Sequence, residues 1–272
     1  MHSRLVPFRV VFSLLLVPLL LLISCGQTPS SAGPALTPTT AVDTYRTPIA
    51  FPTTPPKRII SFAASISEIL GALHLEGRVV AVDYDTNYPA NLASLPKVSD
   101  ANLKFNVEQI VSLQPDLILS YGGETQQYDA QLKNLGLHVV DLPASNFTQS
   151  LQQILLIGRL TFTQDVAKSL VDRLQKQIDQ VKTAVKGLSP PKVMIELDDS
   201  SPGKPFVFGG GSFGDELLQD ARATNIFHAS TSNGGYPQVS DEAVIAANPQ
   251  FILVTEPPQY GGGVSSVYKR VH

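Results

Sequence analysis

The residues of this chain whose types could do chemistry are few, and most fall between apolar stretches. Gly209-Gly210-Gly211-Ser212-Phe213-Gly214 spells G-x-G-x-x-G between a strand-like and a helix-like stretch. Such a loop cradles a dinucleotide pyrophosphate, but the fingerprint also needs an acid about 20 residues on to hold the ribose. Thr224 to Gly235 contains no acid. The loop is therefore expected to be a tight turn whose glycines, Gly210 among them, let backbone approach a ligand. A nucleotide-dependent α/β enzyme built on Gly209–Gly214 is the alternative from another class. His74, His138, His228 and His272 show no metal-ligand spacing. Of these, His228 lies in a loop where it could meet a metal carried by a ligand. No Ser/His/Asp order or paired-carboxylate motif calls for catalysis. We expect no catalytic residue, no protein-held metal and no resident cofactor: a binding protein, not an enzyme.

Two stretches repeat one pattern. Asn106-Val107-Glu108 to Leu119 and Ser240-Asp241-Glu242 to Leu253 each give a cap residue, a Glu two positions on, a short apolar-periodic helix, a Pro and an aliphatic run. Glu108 and Glu242 thus hold equivalent first-turn positions, where an acid favours the helix by about 0.3–1 kcal/mol. Around the copies, strands and short helices alternate: 59–62, 66–73, 78–82, 117–120, 124–135, 137–142, then 193–197, 206–208, 215–220 and 251–255. This order predicts mostly parallel sheets. Between the two sets lie a helix over 147–158 and a longer one, capped by Thr163 and running to about 187. The expected architecture is two α/β lobes, 57–146 and 191–272, bridged by a helical linker over 147–190.

In such folds ligands bind outside the carboxyl ends of the strands. The loops 83–88, 121–128, 200–213 and 228–237 qualify, and they carry Tyr84, Tyr88, Tyr121, Phe213 and Tyr236. Aromatic loops suit a large flat ligand. Their only basic residue is Lys204, against Asp83, Asp85 and Glu124. Anionic ligands would want Arg or Lys here, so a neutral or cationic one fits better.

Net charge is −3, which argues against nucleic acid as a partner. Arg4 and Arg9 precede the apolar run Val10–Ile23, which is too short for a comfortable membrane span and fits a secretory signal. Cys25 is the only cysteine. Residues 25–56, with seven Pro and eight Thr, read as an extended tether.

Leu22-Ile23-Ser24-Cys25-Gly26 resembles a bacterial lipobox, which implies a signal peptide over 1–24 and lipidation of Cys25. The folded part resembles the substrate-binding lipoproteins of ABC importers for cobalamin, iron-siderophores and haem. The matching stretches are Arg58-Ile59-Ile60-Ser61, Ser67-Glu68-Ile69-Leu70, Arg78 to Val82 with Tyr88-Pro89, Leu95-Pro96-Lys97-Val98, the Asn106 copy, and Tyr236 to Glu242. The resemblance implies two lobes joined by one long helix, ligand between them, and a monomer anchored outside the membrane by its lipid. It also implies that Glu108 and Glu242 dock on the permease transmembrane subunits. Tyr88, Tyr121 and Tyr236 match aromatic positions near the ligand in cobalamin binders. The cargo expected is a cobalt corrinoid, with an iron chelate or haem as alternatives. The family continues with a further strand and closing helix that are not recognisable after Glu256, so the second lobe is expected to be incomplete.

Overall fold

A computed structural model describes residues 41, 48–142, 146–198, 201 and 203–255, with the side chain of Glu124 excepted. The signal, Cys25 and most of the tether lie outside the described residues. Residues 38–272 cluster as a single unit.

The first half builds an all-parallel sheet. Its elements are β1 (Ile59–Ser61), α1 (Ala64–Ala72), β2 (Val79–Val82), α2 (Ala90–Ala93), α3 (Val107–Ser112), β3 (Leu117–Ser120), α4 (Gln126–Asn134) and β4 (Val139–Asp141). The strand order is β2-β1-β3-β4, and every pairing is parallel. The strands are continuous aliphatic runs because helices and loops cover both faces. Ile60, Phe62, Ala81, Ile110, Ile118 and Leu132 share one core, and the Phe62 and Phe105 rings stand 4.2 Å apart. Burying each large side chain is worth about 1.5–3 kcal/mol.

Two helices follow, α5 (Phe147–Thr161) and α6 (Gln164–Ala184), packed against each other. The linker is thus a helical pair. At 1.5 Å per residue, the 21 residues of α6 span roughly 32 Å. Thr163 precedes α6 but gives it no side-chain cap. Its hydroxyl meets that of Thr161 instead, at 2.8 Å.

The second half comprises β5 (Lys192–Asp198), β6 (Phe206–Val207), α7 (Phe213–Asp220), β7 (Thr224–Asn225), the single turn α8 (Ser232–Gly235), α9 (Asp241–Ala247) and β8 (Phe251–Val254). Strand β5 is central. It pairs in parallel with β8, while β7 (parallel) and β6 (antiparallel) bond to different ends of it. The overlap of these registers puts β8 on one edge of β5 and the other two on the opposite edge. The fold is α/β with mostly parallel sheets, as expected.

Both repeat copies form as read. Asn106 Oδ1 accepts from Gln109 N at 3.0 Å, and Ser240 Oγ accepts from Ala243 N at 3.3 Å. Both copies also place a left-handed residue before their proline, Gln114 at φ 47° and Asn248 at φ 49°. Their strands differ in burial. β3 is wholly buried, whereas Phe251, Ile252 and Leu253 of β8 are 57%, 49% and 49% exposed.

Candidate functional site

Four strands of the first sheet run the same way, so the chain leaves all four on one side. A cavity of about 310 Å³ lies there. Its walls come from the turn after β1 (Phe62 to Ser65), the loop after β2 (Asp83 and Asp85), Tyr121 after β3, Leu142 after β4, Leu103, and Gln153 of α5. Among the described residues, no lysine or arginine lines it.

Buried hydroxyls hold this rim in place. Ser67 Oγ donates to Ser61 Oγ at 2.9 Å and lies 2.9 Å from Thr86 Oγ1. Thr86 in turn donates to Asp83 Oδ1, and Lys97 Nζ donates to the Thr86 carbonyl at 2.5 Å. The network joins the β1 turn to the β2 loop. Helix α1 starts two residues before the expected position 66, at Ala64. The N-cap residue is Ala63, without a side-chain cap, and the Ser67 hydroxyl is committed elsewhere. Burial pushes the Asp83 carboxyl up, against hydrogen bonds from Thr86 and the Asp85 N–H. Lys97 is pushed down by burial, opposed by Asp83 and Asp85.

Tyr121 is positioned by a second network. Ser120 Oγ and Thr125 Oγ1 donate to Asp129 Oδ2 at 2.9 and 3.1 Å, beneath the loop that Tyr121 opens. Gly122 and Gly123 follow at φ 79° and 58° and turn the chain into α4.

Of the aromatic residues singled out in the sequence, Tyr121 alone lines the cavity. Tyr84 and Tyr88 are exposed on the neighbouring loop, at 48% and 64%. Tyr236 sets its ring edge-on to Phe208 at 5.4 Å. Phe213 lies 6.1 Å from Phe147 at the start of α5. The glycine loop is shaped by backbone packing. A Cβ on Gly209 would stand 2.1 Å from the Ser230 carbonyl oxygen, and one on Gly210 2.0 Å from that of His228. Gly210 therefore spends its missing side chain on the 228–230 loop.

His228 is tied down as well. Its Nδ1 lies 3.0 Å from both oxygens of Asp215, whose carboxylate also accepts from Asn225 Nδ2 at 2.9 Å and Gln219 Nε2 at 2.8 Å. Burial pushes Asp215 up, but the hydrogen bonds from His228, Asn225 and the Gly211 N–H outweigh it and hold the carboxyl below its usual range. Among the described residues, no group of three or more His, Cys, Asp or Glu could hold a metal ion.

Sequence reasoning missed Phe62 to Ser65, Leu103, Leu142 and Gln153. The carboxyl-end rule contained the signal for two of these, since the turns after β1 and β4 end strands too. Gln153 sits mid-helix, and nothing in its local pattern marks it.

Glu108 and Glu242 are exposed in the first turns of α3 and α9. The Ser240 side chain and its own backbone N–H hold Glu242 below the usual carboxylate range.

The sequence profile described as periplasmic binding protein matches residues 59–270. The chain is 31% identical over 206 residues to the uncharacterized ABC transporter substrate-binding lipoprotein YvrC of Bacillus subtilis, covering 74% of this chain and 64% of that one. It thus spans a little under two thirds of that relative's length. It is 27% identical to the vitamin B12-binding protein of Vibrio cholerae, covering 74% of this chain and 71% of that one. The solved periplasmic haem-binding protein HutB of Vibrio cholerae superposes with a TM-score of 0.66 at 27% identity, over 78% and 81% of the two chains. With the matched profile spanning most of the chain, and the sheets, helices and cavity arranged as above, the protein belongs to the periplasmic binding protein family.

Proposed function

We propose that this protein is the extracytoplasmic substrate-binding component of an ABC importer. It captures a bulky metal chelate and hands it to the membrane permease without catalysis. The observation that carries this reading is the cavity at the carboxyl ends of all four strands of the first sheet, in a chain of this family. The cargo is a corrinoid. Two features support that choice: the likeness to a vitamin B12-binding protein, and a cavity wall with acidic residues and, among the described residues, no basic one. The carboxylates of haem or the anionic oxygens of a catecholate siderophore would meet the acidic residues Asp83 and Asp85. The likeness to a haem-binding protein keeps haem, with ferric siderophores, as the competing cargo.

The remaining parts take their places around that activity. The lobes are residues 57–146 and 191–272, bridged by 147–190, with Tyr84, Tyr88, Tyr121, Gly210, Phe213 and Tyr236 facing the cargo. The Cys25 lipid holds the protein at the membrane, and the tether of residues 25–56 lets it reach the permease as a monomer. Glu108 and Glu242 each offer one exposed carboxylate to the transmembrane subunits. Titration with cyanocobalamin, a ferric tris-catecholate and haem tests the assignment. Saturable binding of one of these chelates supports the importer role, and cyanocobalamin as the tightest supports the corrinoid. Binding of NAD alone would replace this function with a nucleotide-dependent one.

A further inference from the structure

One polar side chain in the cavity wall is only half used by the fold. Gln153 stands in the most buried stretch of α5, beside Leu151, Ile154, Leu156 and Ile157. It is 5% exposed and lines the cavity. A primary amide offers two N–H donors and an oxygen with two lone pairs. Here Nε2 donates to the Leu142 carbonyl at 3.5 Å, the long limit for such a bond. A carbonyl can only accept, so this contact turns Oε1 the other way. Among the described residues no donor reaches Oε1, yet the atom is not sealed in. An idle acceptor on a side chain this buried costs stability, and a leucine would pack the same stripe without that cost. Such a break in local consistency belongs where a ligand supplies the missing partner.

We infer that Gln153 contacts the cargo and sets part of its specificity: Oε1 accepts a hydrogen bond from an uncharged N–H or O–H group that enters the cavity. At about 310 Å³, the space lies at the lower end for ligand sites. It can receive a substituent of a bulky cargo but not a whole macrocycle. Phe62, Leu103 and Leu142 form apolar parts of its wall, and in such a pocket a few placed polar groups orient the ligand. A substituent with acceptors only, such as an ionised carboxylate, leaves Oε1 unpaired. A site built for a hydrogen bond discriminates against the analogue that cannot make it. The inference deepens the proposed function and rests on this cavity being the ligand site. A corrinoid meets the demand through the N–H groups of its peripheral amides.

The test replaces Gln153 with methionine, which is similarly long and unbranched but forms no comparable hydrogen bond. Ligand-free Gln153→Met protein should melt no lower than wild type, because a buried amide with an idle acceptor has gone. Its affinity for cyanocobalamin should fall about tenfold. Gln152→Met, at the exposed neighbouring position of α5, should change neither. Unchanged affinity in Gln153→Met would overturn the inference. So would a lower melting temperature of the ligand-free variant, which would show the amide serving the empty fold. If wild-type protein does not bind cyanocobalamin, the corrinoid assignment fails separately and Gln153 is judged on fragments. Propionamide, and not propionate, should then shift the side-chain amide resonances of Gln153. An equal response to both, or to neither, would overturn its role.

Discussion

Two buried aspartates make opposite demands on pH. The Asp215 carboxyl lies below its ordinary value of 3.8 in the folded chain. It therefore contributes stability above pH 3.8 that is lost as the pH falls below that value. The Asp83 carboxyl lies above 3.8. Its contribution is complete below pH 3.8 and is lost as the pH rises through the folded value. Urea denaturation across that range should show Asp83→Asn removing a decline in stability toward neutral pH. Asp215→Ala should cost about 2–3 kcal/mol at neutral pH, because Asn225 and Gln219 lose their acceptor. An unchanged midpoint for Asp215→Ala would mean that its network holds nothing. These groups also mark where sequence reading stopped. Asp83 was visible as a loop charge. Its role as a cavity wall was hidden, because that depends on Ser61, Ser67 and Thr86 meeting from three segments.

At the scale of elements, the repeated cap–Glu–helix–Pro–strand stretch was legible because every piece of it is local. The caps, the helices and the strands all follow from neighbouring residues. What the repeat could not reveal was burial. β3 lies between β1 and β4, while β8 pairs, among the described strands, only with β5, so like sequences end in unlike surroundings. The Gly209–Gly214 loop teaches a similar lesson. Its spacing resembles a phosphate cradle, yet the contacts that require glycine come from outside the motif: Ser230 and Pro237 at Gly209, His228 at Gly210 and the Phe208 ring at Gly214. Gly209→Ala and Gly210→Ala should each lower stability by about 1–3 kcal/mol through backbone displacement. Gly211→Ala, whose Cβ would enter open space at φ 82°, should cost about 1 kcal/mol from strain alone. If all three variants melt alike, the packing account of the loop is wrong.

For the whole molecule, the joint between the two sheets is helical and bonded on both sides. Arg78 Nη1 donates to the Thr161 carbonyl at 2.9 Å, tying the first half to the end of α5. Glu216 of α7 accepts from the Phe147 N–H at 2.5 Å and the Thr148 hydroxyl at 3.0 Å, tying the second half to its start. Lys182 and Asp220 form an ion pair between α6 and α7 at 2.9 Å, although a pair this exposed adds little. Under the proposed function, this joint would fix the separation of Glu108 and Glu242. Glu108→Arg and Glu242→Arg should each cut uptake in cells while leaving ligand affinity unchanged; full uptake by both variants would remove the docking role.

Calorimetric titration of the protein with cyanocobalamin, beside haem, a ferric tris-catecholate and NAD, tests the central claim most directly. The account predicts saturable one-to-one binding of cyanocobalamin, with haem and the catecholate at least about tenfold weaker and no response to NAD. Saturation by NAD with no binding of any of the three chelates would contradict it.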